Sequence, residues 1–219
     1  MTRIGVLGTG NVGRTVGSKL VEVGHEVMIG SRTPGGEKAL EWVAAAGERA
    51  SEGSLAAAAA FGELVVNATP GDASLDALEA AGADNLAGKV LIDIANVGIR
   101  GTPMTLTVAN DDSLAERIQR AHPDAKVVKA LNMVSRTVMV TPSSLGEETN
   151  LFICGDDRVA KARVIEILET FGWLSGDIID LGDITAARGM EMYILLWLRI
   201  RLALDDPEFN IRVVRASDA

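Results

Sequence analysis

The sequence predicts an α/β fold: a doubly wound, mainly parallel sheet with a small C-terminal α/β extension. Short apolar segments alternate with stretches of helical periodicity, which is the pattern of strands joined by helical crossovers. In addition, a glycine-rich loop, GTGNVG at residues 8–13, follows the first apolar segment directly and opens the first helical stretch. This placement is typical of a Rossmann-type fold.

The elements of the N-terminal part follow from apolar spacing and from glycine and proline signals. Val12 and Val16 begin one apolar stripe of a helix that Gly24 ends. Pro34 opens a second helix, and Gly47 ends it. The predicted elements are strands at residues 4–7 and 26–29 and helices at residues 12–23, 34–46 and 51–61, the last of them alanine-rich.

The same alternation continues to about residue 150 and then changes. Before that point we predict strands at residues 64–66, 90–94 and 127–128, helices at 74–81 and 113–121, and a loop at 141–144. Beyond it we predict strands at 151–153 and 178–179, helices at 159–171 and 186–204, and a strand-like tail at 209–214. We therefore divide the chain into a Rossmann-type domain, residues 1–150, and a small C-terminal portion, residues 151–219. This portion forms either a second lobe or part of the same sheet.

The composition excludes several classes of protein. The chain has 219 residues, 47% of them apolar, and a formal net charge of −9, which is the balance of an acidic globular protein that would repel nucleic acid. The single cysteine, Cys154, cannot form an intrachain disulfide. The apolar stretch at residues 192–198 is much shorter than the roughly 20 residues of a membrane span. We expect a cytoplasmic protein that binds neither nucleic acid nor membrane.

The glycines of the loop suit the binding of a dinucleotide. Gly8 permits a tight turn, Gly10 lets the backbone approach a pyrophosphate, and Gly13 lets the helix pack closely on the strand. The phosphates would lie against unpaired N–H groups at the positive end of the helix. The alternative is a glycine-rich turn that only packs, and the position between strand and helix favours the nucleotide.

The end of the second strand indicates which dinucleotide is bound. Proteins that prefer NAD usually place a carboxylate there for the ribose 2′-hydroxyl, but here Ser31, Arg32 and Thr33 follow the strand and the first carboxylate is Glu37. A guanidinium beside a hydroxyl suits a 2′-phosphate, and Lys38 could add charge. We therefore predict NADP(H), although Arg32 could also be an ordinary solvated loop residue.

Two further strand ends lie at the same mouth of the predicted sheet, where ligands of open α/β folds bind. Ala68, Thr69 and Pro70 follow one strand, and Ala95 and Asn96 follow the next. Their small side chains leave room for a ribose and a nicotinamide, and the polar ones could bind them. Proline and asparagine are also common in turns, so both interpretations stay open, with the fold favouring contact with the cofactor.

The chain has few side chains that could act as a general acid or base or bind a metal. His25, His122 and Tyr193 are the histidines and the tyrosine, and their positions favour structural roles. One cysteine and two distant histidines predict no metal site. A dehydrogenase acting on an alcohol or ketone needs a proton donor near the reacting oxygen. We therefore leave the catalytic residues unassigned and favour an acceptor that takes hydride with little help, such as a flavin-like ring.

The segment after the strand at residues 127–128 lies at the same mouth. Asn132, Met133 and Arg136 are our candidates for binding the acceptor. Lys129 could also contact the acceptor, but for Lys129 and Arg136 a solvated charge is at least as good an interpretation.

Four segments together resemble the coenzyme F420-dependent NADP oxidoreductase family: the loop at residues 8–13, GSR at 30–32, KVVKALN at 126–132 and CGDD at 154–157. The resemblance implies a hydride transfer between NADP(H) and the deazaflavin F420, which lies against the nicotinamide in a cleft. It also implies that Thr9, Asn11 and Val12 join the phosphate loop, and that Ser31 and Arg32 hold the 2′-phosphate.

The resemblance leaves open which molecule accepts the hydride, and it implies an oligomeric state only in general terms. Archaeal members carry a histidine where Asn132 stands, and related domains of membrane ferric reductases use NADPH with a flavin, so the acceptor is F420 or a flavin such as FMN. The alternatives are an NADPH-dependent reductase of a small carbonyl or imine, and a non-catalytic NADP(H)-binding regulator. Family members are commonly dimeric. We expect a homodimer that uses the apolar helix at residues 190–204, with the C-terminal portion supplying the acceptor cleft and this contact.

Overall fold

The structure is a computed structural model that describes residues 1–216, so residues 217–219 of the predicted C-terminal portion lie outside the described residues. The strands are β1 (Arg3–Leu7), β2 (Glu26–Ser31), β3 (Ala50–Ser54), β4 (Leu64–Asn67), β5 (Val90–Asp93), β6 (Ile99–Arg100), β7 (Thr105–Leu106), β8 (Lys126–Ala130), β9 (Leu151–Cys154) and β10 (Ile178–Asp180). The helices are α1 (Asn11–Glu22), α2 (Glu37–Ala46), α3 (Leu55–Phe61), α4 (Gly71–Ala81), α5 (Ala83–Leu86), α6 (Leu114–Ala121), α7 (Arg136–Val140), α8 (Arg158–Thr170) and α9 (Ala187–Leu204).

Within residues 1–216, eight strands form one sheet in the order β10-β9-β8-β5-β4-β1-β2-β3. Neighbouring strands run parallel except β8 and β9, which pair antiparallel. Because the chain winds outward in both directions from β1, the crossovers place helices on both faces. The predicted doubly wound, mainly parallel α/β fold is confirmed.

The strands of the predicted C-terminal portion belong to the main sheet. β9 pairs with β8, and β10 extends the same edge by pairing parallel to β9. Of the two arrangements that the sequence leaves open for this portion, its strands follow the second, because they complete the sheet rather than build a separate one. The division of the chain at residue 150 stays a prediction.

Two apolar layers flank the sheet. One packs against α1, α2, α7 and α8, and the other against α3, α4, α6 and the first turns of α9. Successive strand residues point to opposite faces, so Val127 belongs to one layer and Val128 to the other. This double burial explains why the central strands are apolar runs rather than alternating patterns.

Helix α3 lies unusually close to the sheet. A Cβ atom at Gly5 of β1 would lie 2.1 Å from the carbonyl oxygen of Ala58, and a Cβ atom at Gly30 of β2 would lie 2.8 Å from the Ala58 Cβ atom. Glycine in the strands and alanine in the helix therefore allow a contact that larger side chains would prevent.

The predicted helix at residues 51–61 was wrong in its first part. Residues Ala50–Ser54 form β3, which pairs with β2, and only Leu55–Phe61 is helical. The boundary is set by Ser54, whose side-chain oxygen accepts a hydrogen bond from the N–H group of Ala57 at 3.0 Å. Alanine content alone does not reveal this capping residue.

Two other predictions at element ends were also wrong. Helix α2 begins at Glu37 rather than Pro34, because Gly35 has a positive φ of 75° and leaves the helical region. Residues 209–214 form no strand; this segment is tied down instead by Asn150, whose N–H group donates to the Ile211 carbonyl at 3.0 Å. The structure also contains the β6–β7 hairpin, α5 and α7, which the sequence did not predict, and a 3₁₀ helix at Pro142–Leu145 where a loop was predicted.

Candidate active site

The carboxyl ends of β1, β2, β4, β5 and β8 open into one large cleft of about 800 Å³. The predicted site residues that line it are Gly8, Thr9, Gly10, Asn11, Val12, Ser31, Arg32, Ala68, Thr69, Pro70, Ala95, Asn96, Asn132 and Arg136. They come from five separate strand ends, and the parallel sheet brings these ends to one edge.

The structure places the other predicted site residues away from the cleft. Gly13 lies beneath the glycine loop, where a Cβ atom would approach the Gly8 carbonyl oxygen to 2.2 Å. Thr33 accepts a hydrogen bond from the Ser31 hydroxyl through its carbonyl oxygen at 2.7 Å. Lys38 is exposed on α2, and Met133 packs against the apolar layer that contains α3 and α4.

The glycine loop forms a cradle for an anion. Gly8 has a positive φ of 117°, and its N–H group donates to the Gly30 carbonyl at 2.8 Å, which fixes the turn. Gly10 precedes α1 without a side-chain cap, and Gly10, Asn11 and Val12 line the cleft, so the first N–H groups of α1, which have no partner within the helix itself, are available to a ligand there. A Cβ atom at Gly10 would meet no protein atom within 4 Å. The loop therefore fits a dinucleotide pyrophosphate.

The end of β2 presents a cation at the rim of the cleft. Arg32 is exposed there, next to Ser31. Glu52 of the neighbouring strand is a nearby carboxylate, but it accepts a hydrogen bond from the Gly35 N–H group at 3.0 Å. The arrangement therefore fits a 2′-phosphate better than a free 2′-hydroxyl.

A buried polar network supports the loops after β4 and β5. The Thr69 hydroxyl donates to Asn67 Oδ1 at 2.6 Å, and Asn67 Nδ2 donates to Asp93 Oδ1 at 2.8 Å. Ser74 of α4 joins the same network, with its hydroxyl 2.9 Å from that of Thr69. Thr69 is thus engaged with the protein, and Asn67 and Asp93 are functional-site neighbours that sequence reasoning missed.

Asn96 and Asn132 form a pair across the floor of the cleft. Asn96 Nδ2 donates to the Asn132 carbonyl at 2.8 Å, while Asn132 Nδ2 donates to Asn96 Oδ1 at 2.9 Å and to the Met190 carbonyl at 3.0 Å. Leu131 has a positive φ of 62° and turns the chain just before Asn132. Within residues 1–216, Asn132 Oδ1 is buried and accepts no hydrogen bond, which is costly unless a ligand donates to it.

Lys129 is neither a solvated charge nor a residue of the cleft wall. Its side chain is 0% exposed, and Nζ lies 2.8 Å from carboxylate oxygens of both Asp93 and Glu191. Nζ also donates to the Ala95 carbonyl. Burial alone would lower the pKa of Lys129, but the two carboxylates outweigh it and raise the pKa. The signal that could have found this site is a lysine inside an apolar strand and a glutamate inside an apolar helix.

Helix α9 supplies the opposite wall of the cleft, through Ile194, Trp197 and Arg201. The Trp197 ring stacks on Phe209 with ring centroids 5.5 Å apart, and the Arg201 guanidinium lies 6.0 Å from the Trp197 ring. Trp197 Nε1 is buried and has no hydrogen-bond partner among the described residues. Helix α4 lines the same cleft with Ala73, Ala77 and Ala80, so this part of the cleft is largely apolar apart from Asp76, Arg201 and Glu208.

The residues that line the cleft include no histidine, tyrosine, lysine or cysteine within the described part of the chain. His25 and His122 are buried elsewhere, and burial lowers the pKa of both. Burial raises the pKa of the Cys154 thiol to about 12, so that it stays protonated. The described residues contain no cluster of three or more metal-binding side chains, and none of their helices is both long and apolar enough to cross a bilayer.

Two similar proteins match this chain along its whole length. A crystal structure from Arthrobacter sp. FB24, provisionally assigned as an F420-dependent NADP reductase, is 45% identical, covers 98% of this chain and 100% of its own, and has a TM-score of 0.92. The F420-dependent NADP reductase of Methanocaldococcus jannaschii is 25% identical over 96% of this chain and 97% of its own length.

More distant relatives share part of their length or only the fold. Rat metalloreductase STEAP3 is 30% identical over 86% of this chain, which spans only 36% of that longer protein. An imine reductase from Bacillus cereus is 22% identical, with a TM-score of 0.66 over 94% of this chain and 63% of its own, which is a likeness of fold alone.

The family assignment rests on the match to the full-length relatives and on a family model. Residues 3–97, which include the glycine loop and the ends of β2, β4 and β5, match the family described as NADP oxidoreductase, coenzyme F420-dependent. The proteins of that family are NADP-dependent oxidoreductases. The resemblance that the sequence motifs indicate is confirmed, and this chain belongs to the coenzyme F420-dependent NADP oxidoreductase family.

Proposed function

We propose that this protein transfers a hydride between NADPH and a deazaflavin of the F420 type. The observation that carries the proposal is the construction of one continuous cleft. It has an anion cradle and Arg32 at one end, and a broad apolar wall with Trp197 at the other. The first end fits a 2′-phosphorylated dinucleotide, and the second fits a planar ring system.

On the cofactor side, the residues of the chain bind NADPH and orient its nicotinamide ring. The glycine loop and the N-terminus of α1 hold the pyrophosphate, Arg32 with Ser31 holds the 2′-phosphate, and the nicotinamide lies near Ala95 and Asn96. NADPH supplies the hydride when it is bound.

On the acceptor side, the apolar residues of the chain exclude water and stack against the acceptor ring. The apolar side chains of α9 and the alanines of α4 line the same cleft, and an apolar lining favours a flat aromatic acceptor over a small polar one. The absence of a histidine, tyrosine or lysine among the described cleft residues favours an acceptor that needs no proton donor from the protein during hydride transfer. This argument supports a deazaflavin or a flavin such as FMN over a ketone.

The direct test is NADPH oxidation, followed at the absorbance of the reduced nicotinamide, with F420, FMN and a panel of small ketones and imines. The proposal expects turnover with F420 and much slower turnover with the panel. Turnover with an imine or ketone alone would establish the alternative reductase. Tight NADPH binding without turnover of any acceptor would establish a nucleotide-binding regulator.

The proposed assembly is a homodimer. The C-terminal half of α9 leaves large apolar side chains exposed, among them Leu196 at 55% and Leu202 at 68%. A second copy would cover this surface, which lies on the same helix as the acceptor wall. Light scattering during size exclusion would give twice 23.0 kDa for a dimer, and a particle of 23.0 kDa would remove this part of the proposal. A cytoplasmic location is proposed from the acidic composition and the single cysteine.

A further inference from the structure

The buried ion cluster of Lys129, Asp93 and Glu191 joins three elements under the cleft. Lys129 belongs to β8, Asp93 ends β5, and Glu191 lies in the second turn of α9. The side chains are 0–2% exposed, and both Lys129–carboxylate distances are 2.8 Å. A lysine has three N–H donors, and here all three are used, by the two carboxylates and the Ala95 carbonyl.

The cluster is balanced in charge by a helix terminus. One ammonium and two carboxylates carry a net negative charge. Glu191 accepts hydrogen bonds from the N–H groups of Leu114 at 2.8 Å and Ala115 at 3.1 Å, at the N-terminus of α6. The positive end of a helix stabilises a carboxylate in this position. A buried ion pair contributes little net stability to a fold because both charges lose their hydration. Stability alone therefore does not explain why this cluster lies under the cleft.

That reason is its place between the two walls of the cleft. Ala95, which receives a hydrogen bond from Lys129, lies in the loop that lines the nicotinamide side. Glu191 precedes Ile194 and Trp197, one and two turns earlier on the helix that forms the acceptor wall. Through Lys129, these two walls are joined by charge-assisted hydrogen bonds, which are shorter and stronger than neutral ones.

We propose that Lys129 and Glu191 are positioning residues that set the spacing between the nicotinamide loop and the acceptor wall. Neither residue lines the cleft. Hydride transfer depends steeply on the separation of donor and acceptor carbons, and a displacement of about 1 Å can cost about 100-fold in rate. This inference rests on the proposed function for its effect on turnover, but its effect on nicotinamide binding does not depend on any acceptor.

The main variant is Glu191→Gln. Glutamine keeps the size of the side chain but replaces one acceptor oxygen by an N–H donor. In either orientation of the amide this donor faces another donor, either the Leu114 N–H group or the Lys129 ammonium with the Ala115 N–H group, and the negative charge is lost, so the junction is weakened. We expect kcat to fall about 10- to 100-fold. We also expect weaker NADPH binding, with unchanged binding of 2′-phospho-ADP-ribose, the fragment that lacks nicotinamide. Glu191→Asp keeps the charge but shortens the reach, and should give a smaller change in the same direction if the first variant folds poorly.

The matched control is Glu116→Gln. Glu116 is also buried and joins the same two helices, since it accepts from Arg188 of α9 at 2.6 and 2.9 Å, but it does not line the cleft or contact Lys129. We expect this variant to melt at a lower temperature with kcat unchanged. Equal losses of kcat in the two variants would overturn the inference, because they would show that any loosening of α9 has the same effect.

The failure of this inference is distinguishable from failure of the proposed function. If wild-type protein turns over no acceptor, the proposed function fails, and the comparison of NADPH with 2′-phospho-ADP-ribose still tests the cluster. If wild-type protein turns over F420 and Glu191→Gln has the same kcat and the same preference for NADPH over the fragment, the positioning role is excluded.

Discussion

Arg32 is the residue on which the choice between NADPH and NADH depends. It is exposed at the rim of the cleft, so its guanidinium can reach a phosphate without first leaving a buried partner. Arg32 lines the same cleft as the glycine loop, because strand ends of a parallel sheet meet at one edge. Its role in binding the 2′-phosphate stays a prediction.

Replacing Arg32 by alanine should weaken NADPH binding and leave NADH binding unchanged. A charge-assisted hydrogen bond contributes about 1.5–3 kcal/mol, so the dissociation constant for NADPH should rise about 10- to 150-fold. Fluorescence titration of both nucleotides checks this. Lys38→Ala is the control, since Lys38 is exposed on α2 outside the cleft lining and should have little effect. Equal losses for NADPH and NADH would contradict the assignment.

Replacing Gly10 by valine should abolish binding of both nucleotides without destabilising the protein. A Cβ atom at Gly10 meets no protein atom within 4 Å, so the added side chain occupies only the space of the ligand. By contrast, Gly13→Ala should destabilise the fold, since its Cβ atom would lie 2.2 Å from the Gly8 carbonyl oxygen. Thermal melting and NADPH titration of both variants separate the two effects. Gly10→Val protein that still binds NADPH would exclude the pyrophosphate cradle.

At the scale of single elements, the interface between α3 and the sheet is the part that sequence patterns described least well. Residues 51–54 were predicted as helix because alanines follow them, yet pairing with β2 makes Ala50–Ser54 a strand. Propensity is local, whereas strand pairing is decided by partners far along the chain. The strands that were predicted correctly, such as β4 and β5, are apolar runs with no competing signal.

Gly5→Ala should be strongly destabilising although it adds one methyl group. The new Cβ atom would lie 2.1 Å from the Ala58 carbonyl oxygen, which is helix backbone and cannot rotate away. We expect a loss of about 1–3 kcal/mol or more in the free energy of unfolding, as for other overpacked cores. Urea denaturation measures it, and Gly24→Ala is a comparison whose added Cβ atom meets no protein atom within 4 Å, although its positive φ adds a smaller strain. A midpoint equal to wild type for Gly5→Ala would show that α3 can move.

At the scale of the whole molecule, the stability should depend on pH through two buried histidines. Burial lowers the pKa of His25 and of His122 below the ordinary value of 6.5. Near and below that pH the two histidines bind protons in the unfolded chain but remain neutral in the folded protein. The free energy of unfolding therefore decreases as the pH falls from 7.5 to 5.5. Each unit of difference in pKa is worth about 1.4 kcal/mol.

The check is urea denaturation at both pH values for wild type and for the double variant His25→Gln/His122→Gln. The variant should show a smaller difference between the two pH values. Carboxylates with lowered pKa, such as Asp112 at about 2, titrate below this window and do not interfere. An identical difference in both proteins would assign the pH dependence to other groups.

The two halves of the cleft differ in how well the sequence predicted them. The cofactor half depends on loops that directly follow strands, so residues such as Thr69 and Asn96 could be placed by position alone. The acceptor wall depends on contacts between α9 and distant segments, such as the stacking of Trp197 on Phe209. Lys129 was misplaced because sequence position gives the edge of the sheet but not the depth of a side chain.

The late position of α9 in the chain imposes an order on how the molecule is made. A ribosome releases β1, β4, β5 and β8 well before Ala187–Leu204 emerges, so Glu191 is the last of the three buried charged groups to be made. A chain cut short before Ala187 would leave the Lys129 ammonium with Asp93 alone, and the N–H groups of Leu114 and Ala115 without their carboxylate. Truncation ahead of this last helix should therefore lower the stability of the sheet itself.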